Sequence, residues 1–212
     1  SNPMSIGLSY PQDEIAATLY QNANVTYSPE PFGALDARKA LLCYGQKRNW
    51  LPSITPEQIM LTASTSEAYA HLFRLLANPG DEILIPQPSY PLLDYLGHVC
   101  DLNIRYYTLQ SFDEWSIDFR SIEEALSPRT RAIVIVSPNN PTGSCLTSSD
   151  LHQLAAVCKK HNLALIADHV FSDYLIAPSS SAISQLATSS LVDGVLWFAL
   201  EGLSKSMGMP GL

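Results

Sequence analysis

A chain of 212 residues is long enough to bury one sizeable core, and 46% hydrophobic against 15% charged residues excludes a disordered chain. A net charge of −8 without any basic run argues against binding to a nucleic-acid backbone, so an anionic ligand has to be held by local dipoles and single side chains. No apolar run approaches a membrane span, and the N-terminus lacks a signal-peptide pattern. Cys43, Cys100, Cys145 and Cys158 show no CxxC spacing, which suggests free, mostly buried thiols in a reducing compartment. The five histidines form neither an HExxH motif nor a Cys/His cluster, so no structural metal is expected. The expectation is a soluble cytoplasmic protein.

In chain order, residues 11–20 read as a short helix with acidic residues at its positive end. Residues 27–33 read as a loop. Residues 34–46 read as a helix with Leu35, Arg38, Leu42 and Cys43 on one face. Thr55-Pro56-Glu57 starts a helical turn with proline at its preferred first position. Residues 58–62 read as a short strand. A helix follows over 68–77, with Leu72, Phe73, Leu75 and Leu76 as its inner stripe, stopped by Asn78-Pro79-Gly80-Asp81. Residues 82–86 read as a buried strand, 92–100 as a helix and 103–109 as a strand. Ser121-Ile122-Glu123-Glu124 has the capping-box pattern and opens a helix to about residue 126.

The β-branched run Ala132-Ile133-Val134-Ile135-Val136 predicts a strand buried on both faces. It runs into Ser137-Pro138-Asn139-Asn140-Pro141-Thr142-Gly143, which cannot continue a sheet because proline lacks the ladder donor. Ser148-Ser149-Asp150 opens a helix over 151–161. Residues 163–167 read as another buried strand, ending at Asp168. Residues 178–190 read as a surface loop with a helical turn. Residues 195–200 read as a final strand, followed by Glu201-Gly202-Leu203-Ser204-Lys205. Alternating strands and helices give an α/β class with a mostly parallel central sheet and helices on both faces. No repeat, Gly-x-Gly-x-x-Gly pattern or P-loop is present.

Ligands of such sheets bind outside the carboxyl ends of the strands. Several chemically useful side chains fall at those ends. Ser64, Thr65 and Ser66 stand at a helix start whose first N–H groups have no internal partner and can receive a phosphate. The plain alternative there is an ordinary Ser/Thr N-cap. Tyr90, Asn140, Asp168 and Lys205 each follow a strand. An amine, a carboxylate, an amide and an aromatic suit a planar, phosphorylated, nitrogen-bearing aldehyde. The amine can form a Schiff base, the carboxylate can keep a pyridine nitrogen protonated, the aromatic can stack on the ring, and the amide can bond a ring oxygen. Taken singly, each has a duller reading as a surface charge or a cap.

With Ser137 to Gly143, Ala167-Asp168-His169-Val170-Phe171-Ser172-Asp173-Tyr174 and Leu203-Ser204-Lys205-Ser206-Met207-Gly208-Met209-Pro210-Gly211 taken together, the chain resembles the fold-type-I pyridoxal-phosphate enzymes, specifically the class I/II aminotransferases. The resemblance covers nearly the whole chain. It implies a transfer of an amino group between an amino acid and a 2-oxo acid through a Schiff base on Lys205. It implies that Asp168 pairs with the pyridine nitrogen, Asn140 bonds the ring hydroxyl oxygen and Tyr90 stacks on the ring. Ser64, Thr65 and Ser66 would cradle the phosphate, and Phe171 and Ser204 also fall at cofactor-binding positions. Tyr27 matches a tyrosine that reaches the neighbouring subunit's cofactor, which implies a homodimer with shared sites. Cis bonds at Gln87–Pro88 and Asn140–Pro141 also follow from the family pattern.

The resemblance further implies residues 1–50 as an N-terminal segment leading into a pyridoxal-phosphate-binding large domain over 51–212. Two family arginines, one for phosphate and one for the substrate carboxylate, fall beyond Leu212, together with a small C-terminal domain. There are departures. Phe171 stands where the family often has a tyrosine that donates to the ring hydroxyl oxygen, Gly202 where it often has a phosphate-holding serine, and His169 where an acidic residue is common. Three other functions fit the same residues. They are a lyase or decarboxylase on the same cofactor, a non-enzymatic aminotransferase-like sensor domain, and a nucleotide-binding α/β domain without the cofactor.

Overall fold

The computed structural model describes residues 7, 9–21, 26–47, 54–112, 114–174 and 192–208. The loop expected over 178–190 and the last residues of the lysine motif, 209–211, lie outside them. The chain divides into two compact units, Ser1–Leu61 with Leu203–Leu212, and Thr62–Gly202.

The second unit holds the sheet. Its strands are β1 (Glu82–Gln87), β2 (Asn103–Ser111), β3 (Trp115–Ile117), β4 (Thr130–Val136), β5 (Ala164–Asp168) and β6 (Trp197–Leu200), in the spatial order β3-β2-β1-β4-β5-β6. All neighbours run parallel except β2 and β3, which pair antiparallel at the edge. The strands read as unbroken apolar runs because helices cover both faces. On one face α3 (Thr65–Leu76) and α4 (Leu92–Val99) bury Tyr69, Leu72, Phe73 and Leu93 against Ile83, Ile85, Val134 and Ile166. On the other, α5 (Phe119–Ala125) and α6 (Ser148–His161) bury Ile122, Leu151 and Leu154 against Leu84, Ile133, Ile135 and Leu165. Each such aliphatic side chain contributes roughly 1.5–3 kcal/mol on burial. α4 lies close on β2, since a Cβ at Gly97 would run into the side chain of Ile104. At the amino end of the sheet, Arg131 donates from Nε and Nη2 to both oxygens of buried Asp81, at 2.9 and 3.1 Å, and this pairing holds the carboxyl below its ordinary range.

The first unit contains α1 (Gln12–Leu19), α2 (Leu35–Lys47), a 3-10 turn over Pro56–Gln58 and α7 (Leu203–Ser206). Arg38 is its organising residue. It is buried and donates to Gly33 O at 2.9 Å, Pro56 O at 2.9 Å and Glu30 Oε2 at 3.2 Å, fastening α2 to the loop before it and to the 3-10 turn. Gly33 has φ +85°, and a Cβ there would sit 2.7 Å from Leu61. The turn at Pro56 has the expected proline and a full capping box from Thr55 to Gln58. Tyr10 donates to Met207 O at 3.2 Å.

Several expectations need correction. Residues 59–62 are not a strand: Leu61 N–H bonds Phe32 O, but no ladder forms. The N-cap of α5 lies three residues earlier than the Ser121 pattern suggested, because the Asp118 side chain accepts from Arg120 and Ser121 N–H and takes the cap. Ser121 Oγ instead donates to Asp118 O and accepts from Thr108 N–H. On α3 the inner stripe takes Tyr69 rather than Leu75, which is 71% exposed. Positions 69, 72, 73 and 76 keep the helical spacing that 75 breaks. Of the thiols, only Cys100 and Cys158 are buried, Cys145 is intermediate and Cys43 is exposed, its helix face turning Arg38 and Gly45 inward instead. The short edge strand β3 was not anticipated. No helix among the described residues is long and apolar enough to cross a membrane.

Candidate active site

The strand order reverses direction between β1 and β4, whose sequence neighbours leave on opposite sides, and such a switch point opens a crevice at the carboxyl ends of the strands. The loops after β1 and β4 face each other there. Asn139 Nδ2 donates to Pro88 O at 3.3 Å and to Thr142 Oγ1 at 2.9 Å. Asn139 N–H donates to Ser144 O at 2.8 Å, Gly143 N–H to Asn139 O at 2.7 Å, and Gly143 takes φ +73°. Ser137 Oγ accepts from Leu146 N–H at 3.0 Å. The loop is thus rigid, with half-buried Asn140 next to buried Asn139. The Gln87–Pro88 and Asn140–Pro141 bonds are cis as expected, and Ser137–Pro138 is cis as well. Tyr90, in the facing loop, is 53% exposed.

Asp168 ends β5 and is buried. Its backbone carbonyl accepts from Ser137 N–H at 2.9 Å, which sets the β4 loop beside it. Its carboxylate accepts from Val170 N–H on Oδ1 and from Tyr69 Oη on Oδ2, both at 2.9 Å. Burial pushes this carboxyl above its ordinary range, and those two donors only partly offset the cost. Glu201 follows Leu200, the residue whose Cα pairs with Asp168 across β5 and β6. Burial first, then the charge of Asp168, push Glu201 up to about 8, with Ser172 acting the other way. Its Oε2 is buried with no partner among the described residues.

His169 is buried, and Nδ1 lies 3.1 Å from Ser137 O. A carbonyl only accepts, so Nδ1 carries the proton and Nε2 is a bare acceptor, buried without a partner among the described residues. Desolvation lowers the pKa of this imidazole and keeps it neutral. Phe171, half-buried, meets Tyr174 edge-on with ring centroids 6.1 Å apart.

Ser64 caps α3 by accepting from Glu67 N–H at 3.2 Å, while Glu67 Oε2 accepts from Ala63 N–H at 2.6 Å. Ser64 therefore acts as the ordinary N-cap of the alternative reading, and Thr65 and Ser66, half-buried, form the first turn behind it. A Cβ built on Gly202 would lie 3.8 Å from Thr65 Cγ2, so this helix start is close to the end of β6. The same Cβ would run into Val170 Cγ2, so the position has no room for the serine expected there.

The second unit thus brings together Asp168, the Asn140 loop, the Tyr90 loop, Phe171 and the start of α3. Lys205 and Ser204, on α7, and Tyr27, 91% exposed, belong to the first unit.

The donor set fits a flat, phosphorylated, protonated pyridine. At one end stands Asp168, a buried carboxyl whose two donors only partly offset the cost of its charge, where a cationic ring N–H would stabilise the carboxylate. A helix N-terminus at the other end suits an anion. Sequence reading missed Tyr69 and Glu201. A hydroxyl-bearing aromatic on the apolar stripe of the very helix proposed to hold phosphate was the available signal for Tyr69. Glu201, an acid between two apolar segments, was the signal for the second.

Comparison with known proteins gives a consistent result. The chain is 29% identical over 211 residues to a glutamate-pyruvate aminotransferase of Escherichia coli, covering 99% of this chain and 51% of that protein. It is 31% identical over 200 residues to an S-alkyl-thiohydroximate lyase of Arabidopsis thaliana, covering 94% of this chain and 42% of that one. Among solved structures, an alanine aminotransferase from Pyrococcus furiosus superposes with a TM-score of 0.85 at 26% identity, over 99% of this chain and 52% of that chain. The chain therefore spans about half the length of the curated relatives it matches. The family described as aminotransferase class I and II, which is pyridoxal-phosphate-dependent, matches residues 10–212, and the chain belongs to it.

Proposed function

We propose that the full-length protein is a pyridoxal-phosphate-dependent aminotransferase that moves an amino group between an amino acid and a 2-oxo acid. The observation that carries this reading is the buried Asp168 carboxylate, braced by two donors at a strand end beside the start of α3 and the Asn140 loop, in a chain of the aminotransferase family. The names of the Escherichia coli and Pyrococcus furiosus relatives support the substrate class.

Bound pyridoxal phosphate supplies an aldehyde for attachment and a ring that accepts electrons from a substrate carbanion. Asp168 would hold the proton on the ring nitrogen, Asn140 would donate its amide N–H to the ring oxygen, and Tyr90 would cover one ring face. Thr65 and Ser66 N–H groups, with the hydroxyls of Ser64, Thr65 and Ser66, would receive the phosphate, and Ser204 would also contact the cofactor. Lys205 Nζ would be the attachment point, and once free it would take the proton from the substrate α-carbon and return it. Phe171 would pack beside the ring without donating to it.

The same reading makes residues 51–212 the large domain, entered from an N-terminal segment over 1–50, within a longer chain that supplies the carboxylate-binding arginine. It includes a homodimer in which Tyr27 reaches the partner's cofactor, and a cytoplasmic setting with which four unpaired thiols are compatible.

A lyase on the same cofactor is the second reading, favoured by the Arabidopsis thaliana relative. The test uses full-length protein. Its absorbance is recorded before and after borohydride, and the modified residue is mapped. Amino donors with 2-oxoglutarate are then assayed for glutamate. Labelling at Lys205 and glutamate formation support the aminotransferase. Ammonia released with no acceptor present supports the lyase. A colourless protein that stays colourless after cofactor addition overturns both.

A further inference from the structure

The carboxylate of Asp168 is held from two sides. Val170 N–H, two residues on, binds Oδ1, as a local turn can provide. Tyr69 Oη binds Oδ2 from a position 99 residues away in sequence, on the helix across the sheet face. Both side chains are buried, at 3% and 7% exposure, so the Tyr69–Asp168 hydrogen bond does not compete with bulk water. The Tyr69 ring is itself fixed against Phe73, with centroids 5.7 Å apart and planes at 53°. Its hydroxyl therefore cannot follow the carboxylate if the carboxylate turns.

A buried tyrosine needs some acceptor, and a backbone carbonyl is sufficient. Tyr107, equally buried, uses one, donating to Val134 O at 3.0 Å. Tyr69 instead spends its one donor on an ionisable group at a strand end. It stands one helical turn, about 6 Å, beyond Thr65 at the start of α3. A single rigid helix thus presents both the candidate phosphate site and the brace on the candidate ring-nitrogen partner.

We propose that Tyr69 is a positioning residue: its hydroxyl fixes the plane of the Asp168 carboxylate, so that the carboxylate meets a ring nitrogen held at the distance set by the first turn of α3. The inference rests on the reading of Asp168 as the ring-nitrogen partner. Burial and the neighbouring carboxylate push the Tyr69 phenol well above its ordinary range, so it remains a donor at any working pH. Without it, Asp168 has one hydrogen bond fewer to support its charge and is free to rotate. Both effects weaken a bond to a ring N–H cation.

The test compares full-length wild type and Tyr69→Phe, which keeps the ring packed on Phe73 and removes only the hydroxyl. Each is titrated with pyridoxal phosphate and with the analogue carrying carbon in place of the ring nitrogen. Tyr69→Phe is expected to bind pyridoxal phosphate about tenfold more weakly, the factor for one lost hydrogen bond to a charged group. Its affinity for the analogue should match wild type. Tyr107→Phe, which removes a hydroxyl bonded to a carbonyl, should treat the two compounds alike. An equal loss on both compounds in Tyr69→Phe, or no loss on either, overturns the proposal. Wild type that discriminates between the compounds while Tyr69→Phe matches it sinks this inference alone. Wild type that binds neither compound sinks the aminotransferase reading and this inference with it.

Discussion

Asn139 Nδ2 reaches 3.3 Å to the carbonyl of Pro88 and so ties the loop after β4 to the loop after β1 across the switch point. The same nitrogen donates to Thr142 Oγ1 at 2.9 Å, and the side chain is buried. Asn139→Ala removes both bonds and leaves the half-buried Pro88 carbonyl without this donor, which costs roughly 1 kcal/mol. It also lets the loops carrying Asn140 and Tyr90 separate. Full-length Asn139→Ala should melt at lower temperature and bind pyridoxal phosphate about tenfold more weakly. Asn139→Asp, which cannot donate to a carbonyl, should resemble alanine rather than wild type. Melting curves and cofactor titrations of the three proteins check this.

Glu201 gives the stability a pH dependence. Its folded-state pKa, about 8, lies above the ordinary 4.5, because burial and the charge of Asp168 disfavour the carboxylate. The folded protein therefore binds this proton more tightly than the unfolded chain. The stabilisation is complete below pH 4.5 and is lost as pH rises through about 8, with a limiting slope of ~1.4 kcal/mol per pH unit. Buried His169 opposes this at the acid end, since its lowered pKa makes stability rise with pH up to the ordinary imidazole value of 6.5. The cofactor-free, full-length protein should therefore melt at progressively lower temperature between pH 6.5 and 8. Glu201→Gln, neutral at every pH, should flatten part of that fall. Asp168, also raised by burial, acts in the same direction and keeps the flattening incomplete. Calorimetry of both proteins across that range reads the difference.

The sheet was legible because its strands are buried on both faces, so Ile133 to Val136 and Leu165 to Ala167 show uninterrupted apolar runs. The turn at Ser137 to Gly143 was legible because proline and glycine leave the backbone few alternatives. Local competition was harder to see. Asp118 and Ser121 both offer caps to α5, and Asp118 takes the cap by accepting from Arg120 and Ser121 N–H. The apolar residues 59–61 are too few to distinguish a strand from a lone extended segment. Contacts distant in sequence left no local trace. Nothing near Tyr69 announces Asp168, and nothing near Glu201 announces its burial, since both depend on where α3 and β6 arrive in space.

Gly202 and Val170 form a coupled pair. A side chain at 202 collides with Val170 Cγ2, a short branched group with little freedom to move, while Thr65 Cγ2 stays at ordinary contact distance, 3.8 Å. Gly202→Ser should destabilise the full-length protein by about 1–3 kcal/mol, as overpacking does. Val170→Ala in the same chain should recover much of that loss, with a coupling energy of roughly 0.5–3 kcal/mol. Urea melts of the two single variants and the double variant measure it. Strict additivity would mean that the serine finds space elsewhere.

Phe171 offers a direct handle on the electronics of the proposed cofactor. It is half-buried, three residues beyond Asp168, with its ring edge-on to Tyr174 at 6.1 Å. It has no donor for an anionic ring oxygen, whereas a tyrosine in its place carries one. A donated hydrogen bond stabilises the deprotonated, anionic form and therefore lowers the pKa of the proton lost. One bond to a charged acceptor amounts to about 1.5 kcal/mol, or about one pH unit. Phe171→Tyr in the full-length, cofactor-loaded protein should therefore move the midpoint of the absorbance change with pH downward by about that amount. Wild type should titrate at the higher pH. A spectrophotometric titration of the two proteins in the same buffer series reads the shift, and coincident curves would show that a hydroxyl at position 171 does not reach the ring oxygen.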